Sequence, residues 1–317
     1  MRSERSALTL STLAALGIGG LALAVGVVTG SGAILLDGAF NLCFFAAALL
    51  TLRVARLLGR PDDARYPFGY VQFEPLVNLV KGLLIIGVGL VATIDAGLAL
   101  SRGGAGVPAG LAIGYAAFAL VACGAVLLTL RRAARRLASP LVQADVENWA
   151  VNAAISLGML AAFALAMLLD RAGHAGAARL VDPILVILVV LLTLAVPVRM
   201  SARALLGLLQ RAPGPDIAAE VEEVVRAATA AVSPERVFVR ALLPGRTLYV
   251  LVHVLLDARA AGLTLAEADA LRADILAGIV ARRPAVVDVV FTMRPALAEP
   301  VAAFTRANLP APPRPAG

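Results

Sequence analysis

The 317-residue chain has little from which to build a cross-linked fold or a Cys/His metal domain, since it holds 2 Cys and 2 His. A disulfide scaffold and a zinc domain of the usual ligand types are thereby excluded. Charge is scarce as well, at 15% of residues, where a soluble domain carries about 25%. Lysine is almost missing: Lys81 stands alone beside 27 arginines. That bias fits a GC-rich genome, so the expected setting is a bacterial inner membrane. No nucleophile, base and orienting group occur together, and no glycine loop is suited to cradling phosphate, so an enzyme is not expected.

What the chain does have is apolar bulk, 60% of its residues, against about 45–50% in a typical soluble domain. Its formal charge of +7 sits entirely in residues 1–211, with 17 basic and 10 acidic side chains, while residues 212–317 hold 11 of each. The apolar part is the basic part. A nucleic-acid binder would place positive charge on a soluble domain, so no nucleic-acid partner is expected, and membrane spans with basic loops account for the pattern.

A helix needs roughly 20 mostly apolar residues to cross a hydrocarbon core. Six windows qualify: Ala7 to Thr29, Ser31 to Leu52, Pro75 to Leu100, Val107 to Leu130, Asp145 to Leu169, and Val181 to Leu209, the last broken by Pro197. The first is longer than a signal-peptide core and reads as a span. Arginines gather before the first span and after the second, fourth and sixth, while the alternate loops carry only Arg102, Arg171 and Arg179. The positive-inside rule therefore predicts cytoplasmic N and C termini. The same arginine clusters are placed to touch anionic lipid headgroups.

Beyond "LLQRAPGP" the pattern changes to that of a small soluble domain. A helix with acidic residues in its first turns, two strands around a Pro-Gly turn, a helix opened by a Thr264–Glu267 capping box and a last strand give the order α-β-β-α-β. The expected domains are a six-helix, all-α transmembrane domain over 1–211, a cytoplasmic α+β domain over 212–303, and a disordered proline-rich tail over 304–317.

Acids inside a span are costly, which makes each a functional candidate. Asp37 lies within the second span with Asn41 four residues on, on the same helical face. In the fifth, Asp145, Asn148 and Asn152 share a face. Two polar faces, if they met, would bring oxygens to one cation; each Asn pair can instead serve as hydrogen-bonding glue between helices, and Asp37 can pair with Lys81. Asp37, Glu74 and Asp95 are the candidate partners of Lys81. Glu74, before Pro75, either caps the third helix or faces an entry path. Cys43 and Cys123 read as small core residues, and Trp149 as an interfacial anchor.

The segments "SGAILLDGAFN", "YPFGYVQFEPL", "ADVENWAVNAAIS" and "DPILVILVVLL", in this order and spacing, resemble the cation diffusion facilitators. The resemblance implies a six-span exporter of divalent metal with a cytoplasmic domain of ferredoxin-like fold that pairs two protomers, hence a homodimer. It implies metal exchange for protons, a transported cation rather than a resident cofactor, and a site formed by residues four apart on the second and fifth spans. Carried across, these are Asp37, Asn41, Asn148 and Asn152, with Asp145 or Glu147 as a possible further acid. One carboxylate and three carboxamides depart from the Asp/His sets of zinc-transporting members. Such oxygen donors suit a hard ion such as manganese. The alternative is a transport-inactive relative acting as a membrane-anchored partner or regulatory subunit. His253 alone gives the cytoplasmic domain little means of sensing metal.

Overall fold

The structure, a computed structural model, describes residues 4–67, 69–137, 140–244, 247–257 and 262–293. The apolar windows form helices because a backbone in lipid must satisfy its hydrogen bonds within the segment. They are α1 (Glu4–Thr29), α2 (Gly32–Leu58), α3 (Phe73–Ser101), α4 (Ala109–Leu137), α5 (Pro140–Arg171), and the pair α6 (Ala175–Thr193) and α7 (Ala195–Leu208). Six segments, with α6 and α7 taken together, are long and apolar enough to span a membrane. The break at Leu194 follows from Pro197, which has no N–H to offer the carbonyl of Thr193 four residues earlier.

The described residues form two compact units, one within 4–60 and 77–202, the other within 61–76 and 203–293. In the first, α1 packs on α2 and α4, α4 on α5, and α6 on both α5 and α2. Glycines permit the closest of these approaches: a β-carbon on Gly38 would lie 2.9 Å from the backbone N of Leu23 and 3.0 Å from Ala22 Cβ. One apolar cluster joins Ile34, Leu36 and Phe40 of α2 to Tyr115 and Ala119 of α4, Met159 and Phe163 of α5, and Val186 and Val190 of α6. A second joins Ile18, Cys123, Leu130, Val146 and Trp149.

The second unit has the predicted order α-β-β-α-β: α8 (Pro215–Thr229), β1 (Arg236–Leu242), β2 (Leu248–Leu255), α9 (Leu265–Val280) and β3 (Ala285–Thr292). Strand β2 is central, antiparallel to β1 and parallel to β3, with His253 opposite Phe238 and Val290. The parallel pair requires a crossover, and α9 supplies it. Alternate β2 residues Val250, Val252 and Val254 are buried with Val221 and Val225 of α8 and Ile275 and Ile279 of α9. The Thr264–Glu267 capping box is present, with both reciprocal bonds made. Within this unit Asp63 accepts the backbone N–H groups of Arg65 (2.8 Å) and Tyr66 (2.9 Å) and the hydroxyl of Tyr70 (2.6 Å). The tail predicted over 304–317 lies outside the described residues, as does part of the Pro-Gly turn.

Candidate cation site

Helix α2 starts at a cap built from two helices. Ser31 takes the N-cap position in extended geometry, and its hydroxyl oxygen accepts the N–H of Ile34 at 3.2 Å. Across the bundle, Asp182 of α6 presents its carboxylate to the same end. Oδ1 accepts the Ser31 hydroxyl (2.5 Å) and the N–H of Ala33 (3.3 Å), and Oδ2 accepts the N–H of Gly32 (2.9 Å). A carboxylate at the positive end of a helix dipole is favourable, and here it also consumes donors that α2 cannot satisfy itself.

Five residues beyond Gly32, about 7.5 Å along the axis at 1.5 Å per residue, stands Asp37. It is buried, and so is Asn41 one turn on, at 1% exposure. Tyr115 of α4 donates its hydroxyl to Asp37 Oδ2 at 2.5 Å. Asn41 Nδ2 donates to the backbone carbonyl of Asp37 (2.9 Å) and to Asp37 Oδ1 (3.3 Å). Flipping the amide would set oxygen against oxygen at both contacts, so this assignment is the consistent one. It leaves Asn41 Oδ1 buried and without a hydrogen-bond partner. All donors gathered here, the carboxylate, the carboxamide and the phenol, are oxygen ligands of the kind hard cations take.

On α5 the sequence-predicted residues part company. Asn152 is buried, with Ser156 one turn beyond it donating to its backbone carbonyl at 3.0 Å. Asn148 and Glu147 are exposed. Asp145 is half-buried and hydrogen-bonded to Ser11 of α1. The buried α5 residues of the apolar cluster around Ile34, Phe40 and Tyr115 are Met159 and Phe163, with Ile155, Leu160 and Ala162 packed against it. The structure thus brings Asp37 and Asn41 together with Tyr115, while Asn148 and Glu147 look outward. Among the described residues, no three His, Cys, Asp or Glu side chains gather as a metal-binding group.

Three smaller readings change. Trp149 is a buried residue rather than an interfacial anchor, and its indole N–H donates to Ser11 Oγ at 2.8 Å. Lys81 reaches the hydroxyl of Thr51 on α2 and not an acid, so its ammonium is held by a neutral acceptor. Cys123 is buried in the core, as its apolar setting implied, while Cys43 is half-buried. The pattern of polar pairs does not select Asp182 or Tyr115. Asp182 was visible by the same test that selected Asp37, an acid inside an apolar window. Tyr115 lay in "AIGYAAF", a lone hydroxyl among small apolar residues, and nothing local marks its partner.

Six helices able to cross a membrane, an acid buried among them, and a small mixed-sheet unit define an integral membrane protein of the transporter class. Residues 8–209 match the model of the cation efflux transmembrane domain, and the chain belongs to that family. It is 30% identical over 170 residues to the uncharacterized transporter sll1263 of Synechocystis, covering 52% of this chain and 53% of that protein. It is 26% identical over 136 residues to the uncharacterized transporter YdbO of Bacillus subtilis, covering 43% and 47%. The chain thus matches about half the length of these curated relatives.

Proposed function

We propose that the protein exports a divalent metal cation by alternating access, in exchange for protons, with Asp37 as the carboxylate the ion meets. The observation that carries this reading is the orphaned oxygen of Asn41 beside that carboxylate. A buried acceptor without a donor costs about 1–3 kcal/mol, and a cation satisfies it together with Asp37. Asn152 is the α5 oxygen we assign to the same path; Asn148 and Asp145 are assigned to its cytoplasmic approach. With one formal negative charge and no imidazole or thiolate, the site favours a hard ion such as manganese and holds it weakly. Asp37, the single acid there, is the group that would carry the proton in exchange. We assign the protein to a bacterial inner membrane with both termini cytoplasmic, on the arginine distribution, and as a homodimer through its soluble unit.

The test is uptake of manganese, zinc, cobalt, iron(II), cadmium and magnesium into proteoliposomes, with Asp37→Ala alongside and a pH-sensitive dye inside. Uptake of one ion that Asp37→Ala abolishes supports the site, and the dye reads whether protons move against it. Uptake that survives Asp37→Ala refutes it. A second reading, a transport-inactive family member serving as a partner subunit, is favoured by the outward-facing Asn148. No uptake by folded protein, together with a co-purifying membrane partner, selects that reading.

A further inference from the structure

The arginine-bearing ends of α4 and α5 flank an open surface cleft of about 370 Å³. Arg131 and Arg135 of α4 line it, one turn apart, facing Gln143, Val146, Glu147 and Ala150 of α5. Neither arginine has an ion-pair partner among the described residues. The two guanidiniums are exposed at the mouth of this cleft, and each offers a planar fork of donors that suits a phosphate. With Glu147 included, the lining carries one net positive charge, which matches a monoanion that also brings hydroxyl donors for the glutamate.

The helix faces that bear these groups do not stop at the cleft. Counting back from Arg131 in helical steps, Leu128, Gly124 and Val121 continue the same face of α4; counting on from Glu147, Ala150, Ala154 and Leu157 continue that of α5. Val121 is 72% exposed, Leu128 53% and Leu157 55%. With glycine and alanine between them, these faces are apolar from the charged end toward the middle of the span. A polar head site joined to an apolar face within the hydrocarbon region is the shape of one phospholipid.

We infer that the α4–α5 groove is a binding site for an anionic glycerophospholipid of the phosphatidylglycerol type, its phosphate between Arg131 and Arg135 and its acyl chains along Val121, Leu128 and Leu157. This is more specific than a diffuse attraction of basic loops to the bilayer, because Arg132 and Arg136, on the adjacent face, do not line the cleft. It holds whichever ion the protein moves.

The test is native mass spectrometry of the full chain in non-ionic detergent with added phosphatidylglycerol, phosphatidylcholine or inorganic phosphate. One retained phosphatidylglycerol per chain is expected, with phosphatidylcholine lost. Arg131→Gln/Arg135→Gln should weaken retention about thirtyfold, about fivefold for each charge near a phosphate. Arg132→Gln/Arg136→Gln should leave it unchanged. Ala150→Trp fills the groove without altering charge and should also abolish retention, which keeps the inference testable if the double arginine variant does not fold. Equal loss in both arginine pairs, equal retention of phosphatidylcholine, or displacement of the lipid by inorganic phosphate would each overturn it.

Discussion

Removing the Asp182 carboxylate strips the end of α2 of an acceptor for three donors at once. In Asp182→Ala, the N–H groups of Gly32 and Ala33 and the hydroxyl of Ser31 lose partners that lie 2.9, 3.3 and 2.5 Å away. Bonds to a charged acceptor contribute about 1.5–3 kcal/mol each, and an orphaned buried donor costs about 1–3 kcal/mol. These terms are not additive around one carboxylate, and the Ser31 hydroxyl turns to another acceptor once released. The loss of an N-cap acceptor, about 0.5–2 kcal/mol, sets the floor. We expect a net destabilisation of about 3 kcal/mol. Asp182→Asn keeps one acceptor oxygen but sets an NH2 against donors, and should lose about half as much. Trp149 is the one tryptophan and is buried against Ser11, so its fluorescence reports unfolding by titration from non-ionic detergent into dodecyl sulfate. Ser31→Ala completes a double-mutant cycle: with Asp182 already gone it should cost clearly less than alone. A loss below about 0.5 kcal/mol for Asp182→Ala, the size of an ordinary surface change, would refute the argument that α6 caps α2.

Tyr115→Phe deletes the hydroxyl that binds Asp37 and should destabilise by about 2 kcal/mol. The Trp149 titration should also show Asp37→Asn costing less in that background than alone; simple additivity would mean the pair is not coupled. Gly38→Ala places a β-carbon 2.9 Å from the Leu23 backbone, so α1 and α2 must part at a cost of about 1–3 kcal/mol. Unchanged stability would show that the helices are not in contact there. In the second unit, the N–H and then the hydroxyl of Thr264 hold the Glu267 carboxyl below its usual range. A lowered native pKa stabilises above the ordinary carboxylate pKa and loses that contribution as pH falls through the native value. Amide exchange in the first turn of α9, corrected for intrinsic rates, should therefore show fraying in acid, and Glu267→Gln should flatten the profile. An identical profile in Glu267→Gln would remove the carboxylate from the account.

Local signals are legible in the sequence because local physics sets them. The apolar windows found the spans, the Thr264–Glu267 spacing found a real cap, and Pro197 marked the interruption between α6 and α7. Helix ends are legible only to a turn or more: α5 begins at Pro140, one turn ahead of Asp145, and proline suits the first turn of a helix. What the sequence withheld is the level at which helices meet. A spacing of four places Asn148 and Asn152 on one side of α5, but it does not say that only Asn152 is buried there while Asn148 is exposed. Nor does it join Asp182 to Ser31, 151 residues apart in the chain. Tyr115 and Trp149 were obscured for the same reason, since each finds its hydrogen-bond partner on another helix.

The buried acids of the membrane unit differ in how fully they are used, and that difference is the argument for Asp37. Asp182 is saturated: three donors converge on it, and an ion approaching it would have to displace the start of α2. Asp37 has only a neutral phenol and a neutral amide, and the second oxygen acceptor beside it, Asn41 Oδ1, has nothing. An undersaturated pair of oxygens is what an exchangeable cation requires, because binding then makes contacts without first breaking backbone ones. Asn41→Leu separates this from a structural role. The substitution removes an unsatisfied oxygen along with the amide's bonds to Asp37, so stability should change by no more than about 1 kcal/mol, while Asp37-dependent ion uptake should be lost. A drop of more than about 3 kcal/mol, the scale of breaking a buried polar network, with uptake per folded molecule intact, would make Asn41 a strut between helices and leave Asp37 without a partner in binding.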